Sequence, residues 1–335
     1  QVIGVHPQGM MPVFRIQFSD GASVEATGDH LWLVRTHNDR TGGKAGRVKT
    51  TAEMAEELAE GKQRNLYVPL CGAVQFVPRG TLPINPYLLG AVLGDGNMTK
   101  NVVLTFGDAD ILGIVAPLLP AGVRPVVAPD GRSAGLSTSR GKPNPLLESV
   151  RGLGLLGLKS PEKFIPEPYL MASPAERFAL LQGLLDTDGG MDNRRVTFAS
   201  TSERLARGVG RLVESLGGTA RTVSRKTHYP HKGEKKAGKA SWVVCVRLPS
   251  AMGCPFRLPR KCQAWAATRP GIDRPTVRRV VSVDPVGEKR CQCITVAAPD
   301  GLYLTEHCIV THNSWKALNL ALTVAGGGTA LALAK

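Results

Sequence analysis

The sequence lacks the cysteine patterns that mark a zinc-binding or disulfide-bonded protein. Its seven cysteines make an odd count and include no C-x-x-C pair. Neither a zinc site nor a disulfide framework is therefore predicted, and a reducing, cytoplasmic location is expected. No signal peptide opens the chain. The one candidate for a membrane span, residues 317–334, contains Asn319 and three consecutive glycines, so no membrane partner is predicted.

Acidic residues are scarce relative to basic ones. The 335 residues include 42 Lys and Arg against 27 Asp and Glu, which gives a formal net charge of +15. Such an excess of positive charge is typical of proteins that bind a polyanion. The length and the hydrophobic content of 42% indicate two or three globular domains.

One acidic motif nevertheless occurs twice. Residues 180–192 read LLQGLLDTDGGMD and residues 88–98 read LLGAVLGDGNM, and placing Asp188 over Asp95 aligns them as an internal repeat. Each copy predicts an apolar helix that ends at this acidic residue, because glycine just past the last turn is a helix stop signal. Small residues four positions apart predict that the two helices approach backbone to backbone and bring the carboxylates together. These small residues are Gly90 and Gly94 in the first copy and Gly183 and Thr187 in the second.

Converging carboxylates suit divalent cations. Two such ions about 3.5–4 Å apart can activate water and stabilise the leaving oxygen in phosphodiester cleavage. The two copies resemble the dodecapeptide of the LAGLIDADG, or DOD-type, homing endonucleases. The resemblance implies a pseudo-symmetric αββαββα nuclease that binds double-stranded DNA, with Asp95 and Asp188 as catalytic ligands of Mg²⁺ or Mn²⁺. It also implies an active-site lysine at Lys163, 25 residues before Asp188, and offers Lys261 as the lysine of the other half-site.

A basic hairpin is predicted near the second copy. Residues 221–226 and 241–248 have the pattern of strands, and residues 232–239 that of a glycine-containing basic loop between them. Basic strands and loops can follow phosphates across a groove, although a solvated hairpin tip explains the same charges. The candidate DNA contacts are Arg221, Arg225, Lys226, Lys232, Lys235 and Lys236.

The end of the chain carries a different motif. Residues 309–314, IVTHNS, resemble the C-terminal splice junction of an intein, and residues 27–30, TGDH, resemble its block B. The amide nitrogen of Asn313 can attack its own carbonyl, with His312 assisting as a proton donor. The hydroxyl of Ser314 can accept the upstream host segment by transesterification, a step that precedes the cleavage at Asn313.

The intein resemblance also assigns residues to the upstream step. Thr27 and His30 would polarise the upstream scissile peptide, and Cys293 would lie in block F, whose side chains assist these shifts. Block A, which carries the first nucleophile of an intein, is absent, since the chain starts at Gln1. The chain is therefore expected to be a fragment, a truncated reading frame or the C-terminal part of a split intein with an N-terminal partner.

Together the motifs predict an α+β multidomain protein in which an all-β Hint-type splicing domain is interrupted by the nuclease. Residues 314–322 resemble the helix after the Walker A loop of RecA-like ATPases, with residues 329–333 as the next strand, so the host protein is expected to be a RecA-like ATPase. The predicted boundaries are 1–81 and 276–313 for the splicing domain, 84–275 for the nuclease with repeats at about 84–165 and 166–275, and 314–335 for the host segment.

The favoured function is an intein with a homing endonuclease. It would combine splicing chemistry at the C-terminal junction with Mg²⁺-dependent double-strand cleavage of a specific DNA site. Two alternatives stay open, namely a truncated intein that only cleaves itself at Asn313 and a protein that only binds nucleic acid. Intact Asp95 and Asp188 argue against the second alternative, whereas the missing block A favours the first.

Overall fold

The computed structural model describes residues 1–61, 65–77, 80–192, 194–231, 234–268 and 277–312, with the backbone alone at 227–231, 234–237 and 239. The chain divides into two compact units, one of Gln1–Gln75 with the described part of Thr276–Lys335, and one of Phe76–Pro275. The assignment of these units to a splicing domain and a nuclease stays a prediction.

The first unit begins with a β-hairpin. Its first strand pairs antiparallel with the second, with Val13 opposite Thr27, and the alternation of apolar and polar residues in the first strand favours such pairing. The threonines Thr36 and Thr50 form capping boxes at the starts of the two short helices. The elements up to residue 75 are β1 (Val2–Phe18), β2 (Ser23–Thr27), β3 (Leu31–Val34), α1 (His37–Thr41), β4 (Arg47–Thr50), α2 (Thr51–Ala59) and β5 (Tyr67–Val68).

The second unit starts with the first copy of the repeated motif. Its helix begins where Asn85 accepts hydrogen bonds from the backbone N–H groups of Tyr87 and Leu88, with Pro86 in the first turn. The four strands that follow form a sheet in the order β6-β7-β9-β8. The elements are α3 (Pro86–Asp95), β6 (Gly96–Asn97), β7 (Val103–Thr105), α4 (Asp110–Val115), β8 (Arg124–Val127), β9 (Ser133–Ser137) and α5 (Pro145–Gly152).

The second copy repeats this arrangement. Its helix begins at a capping box between Ser173 and Glu176, and its four strands have the equivalent order β10-β11-β13-β12. The αββαββα order implied by the family resemblance is therefore present, once in each half of the unit. The elements are α6 (Glu167–Leu170), α7 (Pro174–Asp188), β10 (Gly189–Asp192), β11 (Arg195–Ser200), α8 (Glu203–Ser215), β12 (Thr219–His231), β13 (Glu234–Arg247) and α9 (Pro259–Ala267).

The prediction of a basic loop at residues 232–239 is wrong for residues 234–239. Residues 234–239 belong to β13, and β12 extends to His231, which pairs with Glu234. The ladder continues because backbone hydrogen bonds can form whatever the charge of the side chains beside them. Basic residues can occur in paired strands, so their charge alone did not indicate a loop.

The chain returns to the first unit with three strands, β14 (Arg278–Val296), β15 (Leu302–Leu304) and β16 (Val310–His312). β14 is a single long strand that pairs with β1 from Val296 to Val280. Pro285 and Gly287 favoured a break, but a register shift at this point absorbs them. A second sheet has the order β15-β16-β3-β4.

Within the described residues, no helix is long and apolar enough to cross a membrane. The candidate span at 317–334 lies outside the described residues.

Candidate functional site

The two motif helices of the second unit pack through their glycines. A Cβ atom on Gly90 would overlap the carbonyl oxygen of Leu180, and one on Gly183 would lie 2.8 Å from the amide nitrogen of Ala91. Neither position has room for a side chain, so the predicted backbone-to-backbone approach of α3 and α7 is confirmed. Because both helices are buried along most of their length, their C-terminal ends lie together inside the unit.

Each helix ends at its acidic residue, as predicted. The glycine that follows, however, does not adopt the left-handed conformation of a glycine stop signal. Gly96 has φ −83° and Gly189 has φ −102°, which are extended rather than left-handed conformations. The requirement is spatial, because a Cβ on Gly189 would lie 2.6 Å from the Cα of Leu185. Each chain therefore turns directly from the helix into a strand, and the carboxylate stays at the junction.

Asp95 and Asp188 share a hydrogen bond between their side chains. Burial raises the pKa of both carboxyl groups. Repulsion from Asp95 adds to the effect and brings the pKa of Asp188 to about 7, while Lys163 and Lys261 oppose it. The negative charges of the two buried carboxylates therefore disfavour each other, which is expected of a pair that would hold a cation between them.

Lys163 and Lys261 bind the two helix ends. Lys163 is 3% exposed, and its Nζ donates to the carbonyl oxygens of Gly94 at 2.8 Å and Gly96 at 2.7 Å. Lys261 Nζ donates to the equivalent end of α7, at 2.8 Å to Leu185, 2.7 Å to Asp186 and 2.6 Å to Gly189. An ammonium group is favourable there because it satisfies the last carbonyls of a helix and its negative dipole end.

The two lysines are therefore equivalent in the repeat, although the sequence favoured Lys163. Burial lowers the pKa of each, and Asp95 and Asp188 oppose this shift. An ammonium group has three N–H donors. Within the described part of the chain, Lys261 directs all three at carbonyl oxygens and Lys163 directs two.

Asp186 is a residue of the site that sequence analysis missed. Its carboxylate accepts from the hydroxyl of Tyr87 at 2.7 Å and from the backbone N–H of Arg257 at 2.8 Å and of Leu258 at 3.3 Å. These bonds join α3, α7 and the start of α9, which carries Lys261. The signal was present, because an acidic residue two positions before Asp188 has no counterpart in the first copy, where Leu93 aligns.

The described candidate DNA contacts lie on β12 and β13, two neighbouring strands of the second sheet. Arg221, Arg225 and Lys226 are exposed on β12, the last strand of that sheet. The backbone of Lys235 and Lys236 belongs to β13, and Lys232 lies outside the described residues.

The first unit brings together several residues assigned to splicing. His312 on β16 lies opposite Leu31 on β3, beside His30, and the backbone N–H of His30 donates to the carbonyl of Thr27 at 3.2 Å. Burial, with a smaller contribution from His312, lowers the pKa of His30 to about 3. Among the described residues, the buried Nδ1 of His312 has no hydrogen-bond partner.

Another residue of this set, Cys293, lies in a different sheet. Cys293 is buried on β14 opposite His6, in the sheet formed with β1 rather than in the one that contains His312. Asn313 and Ser314 lie outside the described residues. Thr311, which sequence analysis did not single out, contacts His30 Nε2 through its hydroxyl.

The family model described as a LAGLIDADG-like domain matches residues 175–244. This range contains α7, Asp188 and most of the second sheet. The chain contains a LAGLIDADG-like domain. The resemblance to the homing endonuclease dodecapeptide is thus confirmed for this domain.

The chain is also similar to replicative helicases. It is 29% identical over 323 residues to the replicative DNA helicase DnaB of Mycobacterium intracellulare, covering 90% of this chain and 50% of that protein. It is 30% identical over 234 residues to the replicative DNA helicase DnaB of Rhodothermus marinus, covering 64% of this chain and 23% of that protein. The chain spans half or less of the length of these relatives.

Solved structures similar to this chain include the homing endonuclease I-DmoI. Its mesophilic variants are 18% identical, with a TM-score of 0.35, over 55% of this chain and 97% of theirs. I-DmoI in complex with DNA and Mn is 19% identical, with a TM-score of 0.32, over 50% of this chain and 91% of that one.

Proposed function

We propose that the chain is an intein that carries a LAGLIDADG homing endonuclease, and that the nuclease cuts both strands of a specific DNA site. The observation that carries the proposal is the shared hydrogen bond of Asp95 and Asp188 at the ends of two glycine-packed helices, with Lys163 and Lys261 beside it. The excess of positive charge supports double-stranded DNA as the partner.

The carboxylate pair fits Mg²⁺ or Mn²⁺. Mg²⁺ is usually held by one or two carboxylates together with water and substrate phosphates, and within the described residues no larger cluster of acidic, His or Cys side chains is present. Asp95 and Asp188 would hold the ions, and their raised pKa values indicate a site short of positive charge. When bound, such ions generate the attacking hydroxide and stabilise the leaving oxygen.

The protein groups have separate tasks in this proposal. Asp95 and Asp188 offer their oxygens from the rigid ends of two helices, which keeps the pair aligned on one scissile phosphate. Lys261 holds the end of α7 with all three donors, so it acts by positioning. Lys163 has one donor left for a phosphate oxygen and can stabilise the charge that develops there.

The exposed basic residues of β12 would follow the DNA backbone. Arg221, Arg225 and Lys226 supply charge along an outer strand, and Lys232, Lys235 and Lys236 extend the basic run in sequence. Contacts of this kind position the duplex without reading its sequence. They would therefore set the affinity and its dependence on salt.

The second proposed activity is splicing chemistry at the end of the Hint-type domain. The register that sets His312 opposite Leu31 favours it, since this brings the C-terminal junction beside the block B histidine. The side-chain nitrogen of Asn313 would form a bond to its own carbonyl carbon as the bond from that carbon to the nitrogen of Ser314 breaks. His312 would give the leaving nitrogen its proton, leaving a succinimide and a free amine.

The remaining assignments follow from the same proposal. Residues 1–81 and 276–313 would form the splicing domain, residues 84–275 the nuclease, and residues 314–335 a segment of a DnaB-like host, which is a RecA-like ATPase. An N-terminal partner that carries block A would supply the first nucleophile.

DNA cleavage tests the nuclease. The full chain is incubated with a duplex that carries the uninterrupted host coding sequence, with and without Mg²⁺. We expect linear products from the parent and from Asp130→Ala, an exposed loop carboxylate, and none from Asp188→Ala. Binding without metal-dependent cutting by the parent would overturn the proposal in favour of a nucleic-acid binder.

Intact mass tests the splicing chemistry. The parent should release a fragment of residues 314–335, and Asn313→Ala should not. An uncut parent would overturn the proposed cleavage at Asn313 and leave the nuclease proposal standing.

A further inference from the structure

We propose that Thr311 is a positioning residue of the splicing centre, whose hydroxyl accepts the Nε2–H of His30 and holds that imidazole beside the strand that carries His312. The inference rests on the proposed splicing function. It adds a residue that no motif indicated.

The contact between Thr311 and His30 is buried, and the hydroxyl of Thr311 has two hydrogen-bond partners. Thr311 is 0% exposed and His30 is 3% exposed, and the hydroxyl oxygen of Thr311 is hydrogen-bonded to His30 Nε2. The same hydroxyl donates to the carbonyl of Leu31 at 3.3 Å. Water cannot replace either partner at this depth, so the loss of the hydroxyl would leave a buried ring nitrogen unsatisfied.

The two bonds determine the tautomer of His30. A carbonyl oxygen can only accept, so the single hydroxyl proton of Thr311 is directed to Leu31. The bond to His30 must then use a lone pair of the hydroxyl, which makes Nε2 the protonated ring nitrogen. Nδ1 keeps its lone pair and can accept from a peptide N–H.

Other contacts fix the rest of the ring. The imidazole stands edge-on to Trp32, with ring centroids 5.0 Å apart and an angle of 85°. Trp32 is itself held by a 3.0 Å bond from its Nε1 to the hydroxyl of Thr51. Burial keeps the pKa of His30 far below its ordinary value, so the ring is neutral and is oriented by this hydrogen bond rather than by an ion pair.

The consequence is a direct link between the two ends of the proposed reaction. Thr311 precedes His312 in β16, and His30 belongs to the block B segment that acts on the upstream peptide. A change at one end can therefore move the other end through a single side chain. This link explains how the upstream and downstream centres keep their relative geometry within this unit.

The experiment compares Thr311→Val, which removes the hydroxyl, with Thr311→Ser, which retains it. Histidine nitrogens are followed by ¹⁵N NMR in the full chain with Asn313→Ala, and His30→Gln assigns the signals. We expect protonated Nε2 at His30 in the parent and in the Ser variant, and loss of this preference in the Val variant. Protonated Nδ1 in the parent, or unchanged signals in the Val variant, would overturn the proposal.

Cleavage supplies the second readout. In chains with native Asn313, release of residues 314–335 should slow about tenfold in Thr311→Val and stay within about twofold in Thr311→Ser. Equal rates in the parent and the Val variant, with matching unfolding midpoints, would contradict a positioning role. A parent that releases no fragment would refute the proposed cleavage alone, since the NMR comparison still decides the role of Thr311.

Discussion

Gly90 and Gly183 face each other so closely that a Cβ atom on either glycine would lie 3.1 Å from the Cα of the other. This contact sets the spacing of α3 and α7 and hence the meeting of the two carboxylates at their ends. Gly90→Ala should lower the free energy of unfolding of this unit by about 1–3 kcal/mol, because the methyl group has no space. Urea unfolding of the full chain measures the change.

The matched control for this change is Gly113→Ala. Gly113 is in α4, and nothing lies within 4 Å of its Cβ position. Alanine should stabilise that helix by about 0.5–1 kcal/mol because it restricts the unfolded chain. Equal effects of the two substitutions would show that helix propensity, not the close approach, determines the result.

Lys261→Met removes the ammonium that binds three carbonyl oxygens at the end of α7. The carbonyls would be buried without donors, so we expect a loss of about 3 kcal/mol in unfolding free energy. Lys142→Met, at an exposed lysine, should change it by less than about 0.5 kcal/mol. Wild-type stability of Lys261→Met would mean that these carbonyls find other partners.

Metal binding at Asp95 and Asp188 should release a proton near neutral pH. With the pKa of Asp188 raised to about 7, a proton occupies the pair below that pH and a divalent ion must displace it. Mn²⁺ affinity should therefore fall as the pH drops from 8 to 6. Calorimetry in two buffers of different ionisation enthalpy measures the protons released.

Asp95→Asn tests whether Asp95 contributes to the raised pKa of Asp188. It removes a group that raises the pKa of Asp188 through both repulsion and hydrogen bonding. The proton competition should therefore shift to lower pH, even though the site loses a ligand. An unchanged pH dependence would show that burial alone raises the pKa of Asp188.

Asp186 should matter to stability more than its neighbour Tyr87. Asp186→Leu, which copies the residue found in the first repeat, leaves two backbone N–H groups and the Tyr87 hydroxyl without an acceptor. We expect a loss of about 3–5 kcal/mol for Asp186→Leu and about 1 kcal/mol for Tyr87→Phe. Similar losses would indicate that the carboxylate serves Tyr87 alone.

The sequence predicted the features that depend on local chemistry and failed where tertiary contacts decide. Gly90 and Gly183 predicted a close helix pair, and the acidic residues followed by glycine predicted where the two helices end. The carbonyl oxygens that Lys261 binds and the hydroxyl that contacts the ring of His30 could not be predicted. Both sets of partners lie more than 70 positions away in the sequence. Likewise β14 runs through Pro285 and Gly287 only because β1 accommodates a register shift there.

His30 should make the first unit sensitive to mild acid. Its pKa is about 3 when folded and 6.5 as the ordinary value, so the unfolded chain takes up a proton that the folded unit excludes. The stability that this neutral histidine contributes is fully present above pH 6.5 and is lost as the pH falls from 6.5 toward 3. At pH 5 the loss should reach about 2 kcal/mol relative to pH 7.

Urea unfolding at both pH values, followed by hydrogen exchange of peptides from β3, isolates this unit. His30→Gln should abolish most of the difference and His6→Gln, at an exposed position, should leave it intact. The same difference in the parent and His30→Gln would assign the acid sensitivity to another group.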